Sequence, residues 1–173
     1  KGQAPVWHEA SEAEEVLRIA PVRNLIGRGR VVYLPQVIPA VEKPSAAPMT
    51  SQYWKLPVNW EELAAAVKWA AGDNLSLEVK APLTVTAEVL EQKASHKLLV
   101  HLLNYDARRF PVVSNIEITL KIPEGGKVEE ISLLSPDHEK AQPATYVVRN
   151  GRIVVNVPQL KTYSLILVRL QRP

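Results

Sequence analysis

Apolar and polar positions keep one rhythm through the first half of this chain and another after residue 80. From Glu9 to Ala20, the residues Ala10, Ala13, Val16, Leu17 and Ala20 recur at helical spacing. Glu12, Glu14 and Glu15 sit early in that run, where carboxylates suit the positive end of a helix dipole. The spacing predicts a short helix ending before Pro21. Gly27-Arg28-Gly29-Arg30 then marks a turn, and Val31-Val32-Tyr33-Leu34 reads as a short buried strand stopped by Pro35. Pro39, Pro44, Pro48 and Pro57 interrupt the next stretch, which supports an irregular loop. Asn59 is a capping residue with Glu62 three positions on, and Leu63, Val67 and the alanines between them continue at helical period until Gly72. A helix over 60–71 is expected.

Beyond residue 80 the period becomes two. Leu83, Val85, Ala87 and Val89 alternate with Thr84, Thr86 and Glu88, and Ile116, Ile118, Leu120 and Ile122 alternate with Glu117, Thr119 and Lys121. That is the pattern of strands with one wet face. Lys97–Tyr105 differs, being apolar at nearly every position with His101 inside the run, and reads as a buried strand. Further strands are predicted near 128–134, 144–149, 152–157 and 162–170. Pro123-Glu124-Gly125-Gly126, Ser135-Pro136-Asp137 and Asn150-Gly151 separate them, the last as a two-residue hairpin turn. The expected fold is mainly β: a C-terminal antiparallel β-sandwich of about seven strands, preceded by a short α/β segment. We divide the chain into an N-terminal extension with a short helix (1–30), a partial α/β segment of strand, Pro-rich loop and helix (31–79), and a sandwich domain (80–173). Ala81-Pro82 marks the boundary.

Composition narrows the function. The chain has 173 residues, of which 46% are hydrophobic, enough for a packed core. With no cysteine, disulfides, thiolate metal sites and cysteine nucleophiles are all excluded. The net charge is +3, and the basic residues are scattered, Arg28/Arg30 and Arg108/Arg109 being the tight pairs, which argues against a nucleic-acid partner. No apolar run approaches the ~20 residues that span a bilayer. A soluble, cytoplasmic location is the expectation, although missing cysteines do not fix a compartment. The chain starts at Lys1 with nothing like a signal peptide after it, and is expected to be a piece of something longer.

No residue set offers a defensible active site. The adjacent pairs Glu14/Glu15, Glu61/Glu62 and Glu129/Glu130 point apart on either a helix or a strand, so they do not form the facing carboxyl pair of a glycosidase. His8, His96, His101 and His138 lack the short spacings of a metal site. His101 is expected to be a core histidine bonded to a neighbour rather than a base or ligand. No serine sits in a Gly-x-Ser-x-Gly turn, and Gly27-x-Gly29 lacks the third glycine of a dinucleotide fingerprint. We therefore expect no catalytic residue, no cofactor and no metal. Trp7, Tyr53, Trp54 and Trp60 are weighed separately, because aromatic faces bind sugar rings. Tyr53, Trp54 and Trp60 are the candidate contacts, either with carbohydrate or, as the preferred reading, as anchors of a loop or interface.

Several segments together carry a resemblance: Gly-Arg-Gly-Arg-Val-Val-Tyr-Leu-Pro at 27–35, Trp-Glu-Glu-Leu at 60–63, Leu-Leu-Val-His-Leu-Leu-Asn-Tyr at 98–105, Ser-Pro-Asp at 135–137 and Val-Pro-Gln-Leu-Lys-Thr-Tyr at 157–163. In order and spacing they resemble the C-terminal part of bacterial glycoside hydrolases related to the β-galactosidases. The resemblance implies a catalytic (β/α) barrel before this chain, a glutamine-amidotransferase-like α/β domain whose last strand and helix fall at 31–79, and a terminal β domain from residue 83. The barrel holds that family's two catalytic glutamates, so none transfers to a position here.

Two roles follow as expectations. The first is a non-catalytic structural module that packs on the parent barrel or on another copy of the chain. The second is a carbohydrate-binding sandwich using exposed aromatics, and an enzyme in its own right is a distant third. A lone strand and helix cannot close a sheet, so the strand at 31–34 is expected to pair with the β domain, pair with another copy, or expose an edge.

Overall fold

The computed structural model describes residues 21–41, 55–106 and 111–171. The chain divides between Asn74 and Leu75 into two compact units. The predicted helix at Glu9–Ala20 lies outside the described residues, as do Trp7, Tyr53 and Trp54.

In the first unit β1 (Val22–Ile26) and β2 (Gly29–Tyr33) form an antiparallel hairpin, with Val22 opposite Tyr33 and Ile26 opposite Gly29. Its two-residue loop begins at Gly27, whose φ of +58° glycine adopts without a Cβ clash. The strand expected at 31–34 therefore exists but is not buried: of β2 only Val32 is even half-buried. The reason is its partner. β2 pairs with β1, a strand the polar interruptions at Arg23 and Asn24 had concealed, and among the described residues the two-stranded sheet has two open edges. Helix α1 (Trp60–Ala70) begins where its spacing predicted, with Glu61 and Glu62 in the first turn. Asn59 occupies the N-cap position as expected, but its side chain makes no capping bond to the helix backbone. Its side-chain amide instead accepts from the Ile38 N–H at 2.9 Å and donates to the Gln36 carbonyl at 2.9 Å, tying the incoming loop to the helix start.

The second unit is a β-sandwich. Its four-stranded sheet runs in the order β3 (Leu77–Lys80), β6 (Val113–Lys121), β10 (Arg152–Leu160), β9 (Thr145–Arg149). Its five-stranded sheet runs β4 (Val85–Gln92), β5 (Lys97–Asn104), β11 (Tyr163–Leu170), β7 (Val128–Leu134), β8 (Gln142–Pro143). Every pairing is antiparallel. The strands beyond the expected seven are β3 and β8, two short edge strands with too few residues to establish a period. Asn150 and Gly151, both at positive φ, close the β9–β10 hairpin as the sequence predicted.

Alternation builds the core. Leu98, Val100 and Leu102 of β5 and Ile166 and Val168 of β11 meet Ile116, Ile118 and Leu120 of β6 and Ile153, Val155 and Val157 of β10, all buried in one cluster. Each such side chain contributes about 1.5–3 kcal/mol on leaving water. The alternation breaks at one level of the four-stranded sheet. Val113 and Ile116 are both buried with Ser114 and Asn115 exposed between them, while opposite them Val157 and Leu160 are buried around exposed Pro158 and Gln159. The ladder register is the same on either side of Asn115 and Pro158, which do not pair. Proline has no N–H to give there, and Asn115 is in the left-handed region at φ +58°.

Candidate functional site

The outer face of the five-stranded sheet is set by the same alternation, read one residue out of step. Residues paired across a ladder point the same way, so Gln92, Lys97, Arg169 and Glu130 form one row across β4, β5, β11 and β7. The next row is Leu90, Leu99, Leu167 and Ser132, followed by Glu88, His101, Leu165 and Leu134. Leu103 and Tyr163 pair in a fourth. Leu90, Leu99, Leu103, Leu134, Leu165 and Leu167 thus share a face turned away from the core cluster, and none of them belongs to it. At its polar end Arg169 Nη1 pairs with Glu130 Oε2 at 3.0 Å, and the Ser132 hydroxyl donates to Glu130 Oε1 at 3.1 Å.

His101 lies on this outer face and not in the core between the sheets. Its Nδ1 is 2.8 Å from the Tyr163 hydroxyl, a bond from the third row of the face to the fourth. Its Nε2 is buried and has no partner among the described residues. The expected bond to a neighbour is present for one nitrogen only. His96, at φ +52°, turns the chain from β4 into β5, and His138 is exposed after the Ser135-Pro136-Asp137 turn. Among the described residues no group of three His, Asp or Glu side chains could hold a metal ion.

The opposite sheet presents a different outer face. Glu78, Lys80, Glu117, Thr119, Lys121 and Arg152 project from β3, β6 and β10. Lys80 pairs with Glu117, and Arg152 Nη1 lies 3.4 Å from Glu78 Oε1 while donating to the Leu75 carbonyl at 3.1 Å.

Of the three aromatic candidates, Trp60 is the one described; it is half-buried at the first position of α1. In the first unit a different tryptophan has defined cationic partners. Trp69, near the end of α1, has the Arg23 guanidinium 5.3 Å and the Arg30 guanidinium 5.4 Å from its ring centre. Arg30 Nη1 also donates to the Trp69 carbonyl at 3.2 Å. Arg23 and Arg30 share one face of the hairpin, so Trp69 is the point where hairpin and helix meet. The hairpin's other face carries Val22, Ile26, Val31 and Tyr33, all exposed. The signal available in sequence was the pair of Arg residues flanking the Gly27 turn, together with a tryptophan at the helix's apolar spacing.

Among the described residues, three clefts of the sandwich are lined by no Trp, Tyr or Phe. The most polar of these three lies at the kink of β6 and β10 and measures about 690 Å³.

No protein-family model matches the sequence, and no curated protein matches it. Among solved structures, α-L-fucosidase isoenzyme 2 from Paenibacillus thiaminolyticus superimposes on 65% of this chain with a TM-score of 0.55 and 19% identity. The two share a fold. The match takes in 18% of the fucosidase chain, so the chain spans under a fifth of that relative's length. A cycloisomaltooligosaccharide glucanotransferase from Paenibacillus sp., solved with cycloisomaltoheptaose, covers 57% of this chain and 19% of its own at 16% identity, with a TM-score of 0.42. The fucosidase likeness is one of fold, and it does not single out the β-galactosidases.

Proposed function

We propose that this chain is a non-catalytic β module of a glycoside hydrolase, packing through the leucine face of its five-stranded sheet against the polypeptide that carries the catalytic barrel. The leucine face is the observation that carries this reading. An antiparallel sheet that ends in water puts polar residues outside, as the four-stranded sheet does with its ion pairs. β5 and β11 instead carry Leu99, Leu103, Leu165 and Leu167 outward from the middle of their sheet, the composition of a strand covered on both faces. In the fucosidase this fold is part of a much longer chain, which supports the rest of a hydrolase polypeptide as the occupant. The motif resemblance refines the parent to a relative of the β-galactosidases. Catalysis would belong to the barrel, since a glycosidase needs two carboxyl groups roughly 5 to 9.5 Å apart across the sugar.

The test uses the chain alone and the longer polypeptide encoded with it. The isolated chain is expected to release no p-nitrophenol from aryl β-galactosides or aryl α-L-fucosides. Leu99→Lys combined with Leu167→Lys is expected to leave the isolated chain folded while lowering the melting temperature and yield of the longer hydrolase. Hydrolysis by the isolated chain would overturn the reading, as would a longer polypeptide indifferent to the two lysines.

A further inference from the structure

The cleft at the β6–β10 kink is built from polar side chains that the protein itself leaves unused. Its floor is Ser164, on the inward face of β11 beside Val157 and Leu133. Ser164 is only 5% exposed, and its hydroxyl has no hydrogen-bond partner among the described residues. That hydroxyl is not among the fully buried unpaired polar atoms of the described residues, so it opens to the cleft, where it can meet a ligand's polar group. The walls have the same character. Ser114 and Gln159 are paired in register across the ladder, Asn115 stands at the kink, and Gln142 comes from β8 on the other sheet. None of these four side chains has a hydrogen-bond partner among the described residues either. Asn115 holds its left-handed φ of +58° within a strand, a backbone state that gathers where ligands are clamped.

The chemistry of the lining selects a class of ligand. Its opposite charges are matched to each other: Asp137 Oδ1 is 3.8 Å from Lys161 Nζ, and the Ser135 hydroxyl fixes the Asp137 turn by accepting its backbone N–H at 3.2 Å. An anion would meet the Asp137 carboxylate, and a metal ion would find too few ligands. Beside the His138 imidazole, what remains free are neutral amides and hydroxyls, which both donate and accept, over an apolar patch of Val157, Leu133 and Pro158. A pyranose ring presents that combination, with hydroxyls around its rim and C–H groups on its face. We infer that this cleft binds a neutral saccharide unit through Ser164, Asn115, Gln142 and Gln159, without an aromatic platform. The volume of about 690 Å³ is that of an ordinary small-molecule site. The inference is independent of the packing role, because the cleft opens at the end of the sandwich and the leucine face lies outside one sheet.

An NMR titration of the ¹⁵N-labelled chain tests it, using D-galactose, L-fucose, D-glucose and lactose, with glycerol and sodium phosphate as controls. At least one of the four sugars is expected to give saturable shifts at the amides of Asn115, Gln159 and Ser164, with a Kd in the millimolar range. Gln159→Ala combined with Gln142→Ala is expected to weaken that binding by about tenfold or more. Both side chains are exposed, so this variant keeps the fold. Ser164→Ala at the floor is expected to weaken binding as well, and Glu124→Ala, in the turn at the other end of β6, is expected to change nothing. The inference is overturned if no sugar gives a saturable shift, if the shifts map to another surface, or if binding survives loss of both glutamines.

Discussion

The two sheets of the sandwich bury the same kind of residue inside and show water different things outside. Over Ile116–Lys121 the chain alternates isoleucine and leucine with Glu117, Thr119 and Lys121, and the outward residues pair with Glu78 and Lys80 of β3 and with Arg152, Val154 and Asn156 of β10. Over Lys97–Leu103 the inward leucines and valine alternate with Leu99, His101 and Leu103, and the outward residues meet more leucine on β11. Away from the Asn115–Pro158 kink in one sheet and the irregularity at Arg169–Leu170 in the other, both keep the same two-residue alternation, so over these stretches the difference lies in the outward positions. A sheet face is committed to water or to a neighbour by every second residue, independently of how well its other face is packed.

Adjacent residues on β5 give the most direct way to break this comparison. Leu102 is buried in the core cluster, and Leu102→Ala is expected to lower stability by about 2–5 kcal/mol in urea denaturation. Leu103 is half-buried on the outer face, and Leu103→Ala is expected to cost below about 1 kcal/mol in the isolated chain. Equal losses would mean that the leucine face is already covered within this chain. On the ion-paired face Arg152→Ala is expected to cost about 1–2 kcal/mol, because it strips a charged donor from the Leu75 carbonyl as well as from Glu78. The smallest effect belongs to Glu117→Gln, at about 0.5 kcal/mol or less, and it is expected to vanish in 1 M salt, since the Lys80–Glu117 pair is solvent-exposed. A salt-independent loss at Glu117 would show that this face too is shielded from water.

The long strands were legible because eight or nine residues give several turns of a two-residue period, as over Lys97–Asn104 and Val113–Lys121. β1 was not, since Arg23 and Asn24 sit in the middle of its five residues and its strandedness comes from the Gly27 hairpin. Asn59 showed the letters of a helix cap, but its amide is taken by Gln36 and Ile38, a competition no local pattern reveals. The apolar character of Lys97–Tyr105 was visible as burial, whereas which side of the sheet His101 faces depended on its pairing with Leu165. The polar cleft draws Asn115, Gln142, Gln159 and Ser164 from four strands on two sheets, so spacing could not assemble it. Its one trace in the sequence is a gap of three between apolar residues, at Val113 and Ile116 and again at Val157 and Leu160.

That double gap makes Asn115 and Pro158 a matched pair of insertions, one per strand at the same rung. Deleting Asn115 alone would bring Val113 and Ile116 into simple alternation but leave β10 with an extra residue opposite, and deleting Pro158 alone would do the reverse. Removing both would restore an unbroken ladder, with Ser114 and Gln159 next to Ile116 and Val157. The sandwich end therefore admits changes of length in pairs and resists them singly. A one-residue deletion here has to be repaired on a strand more than forty residues away in the chain.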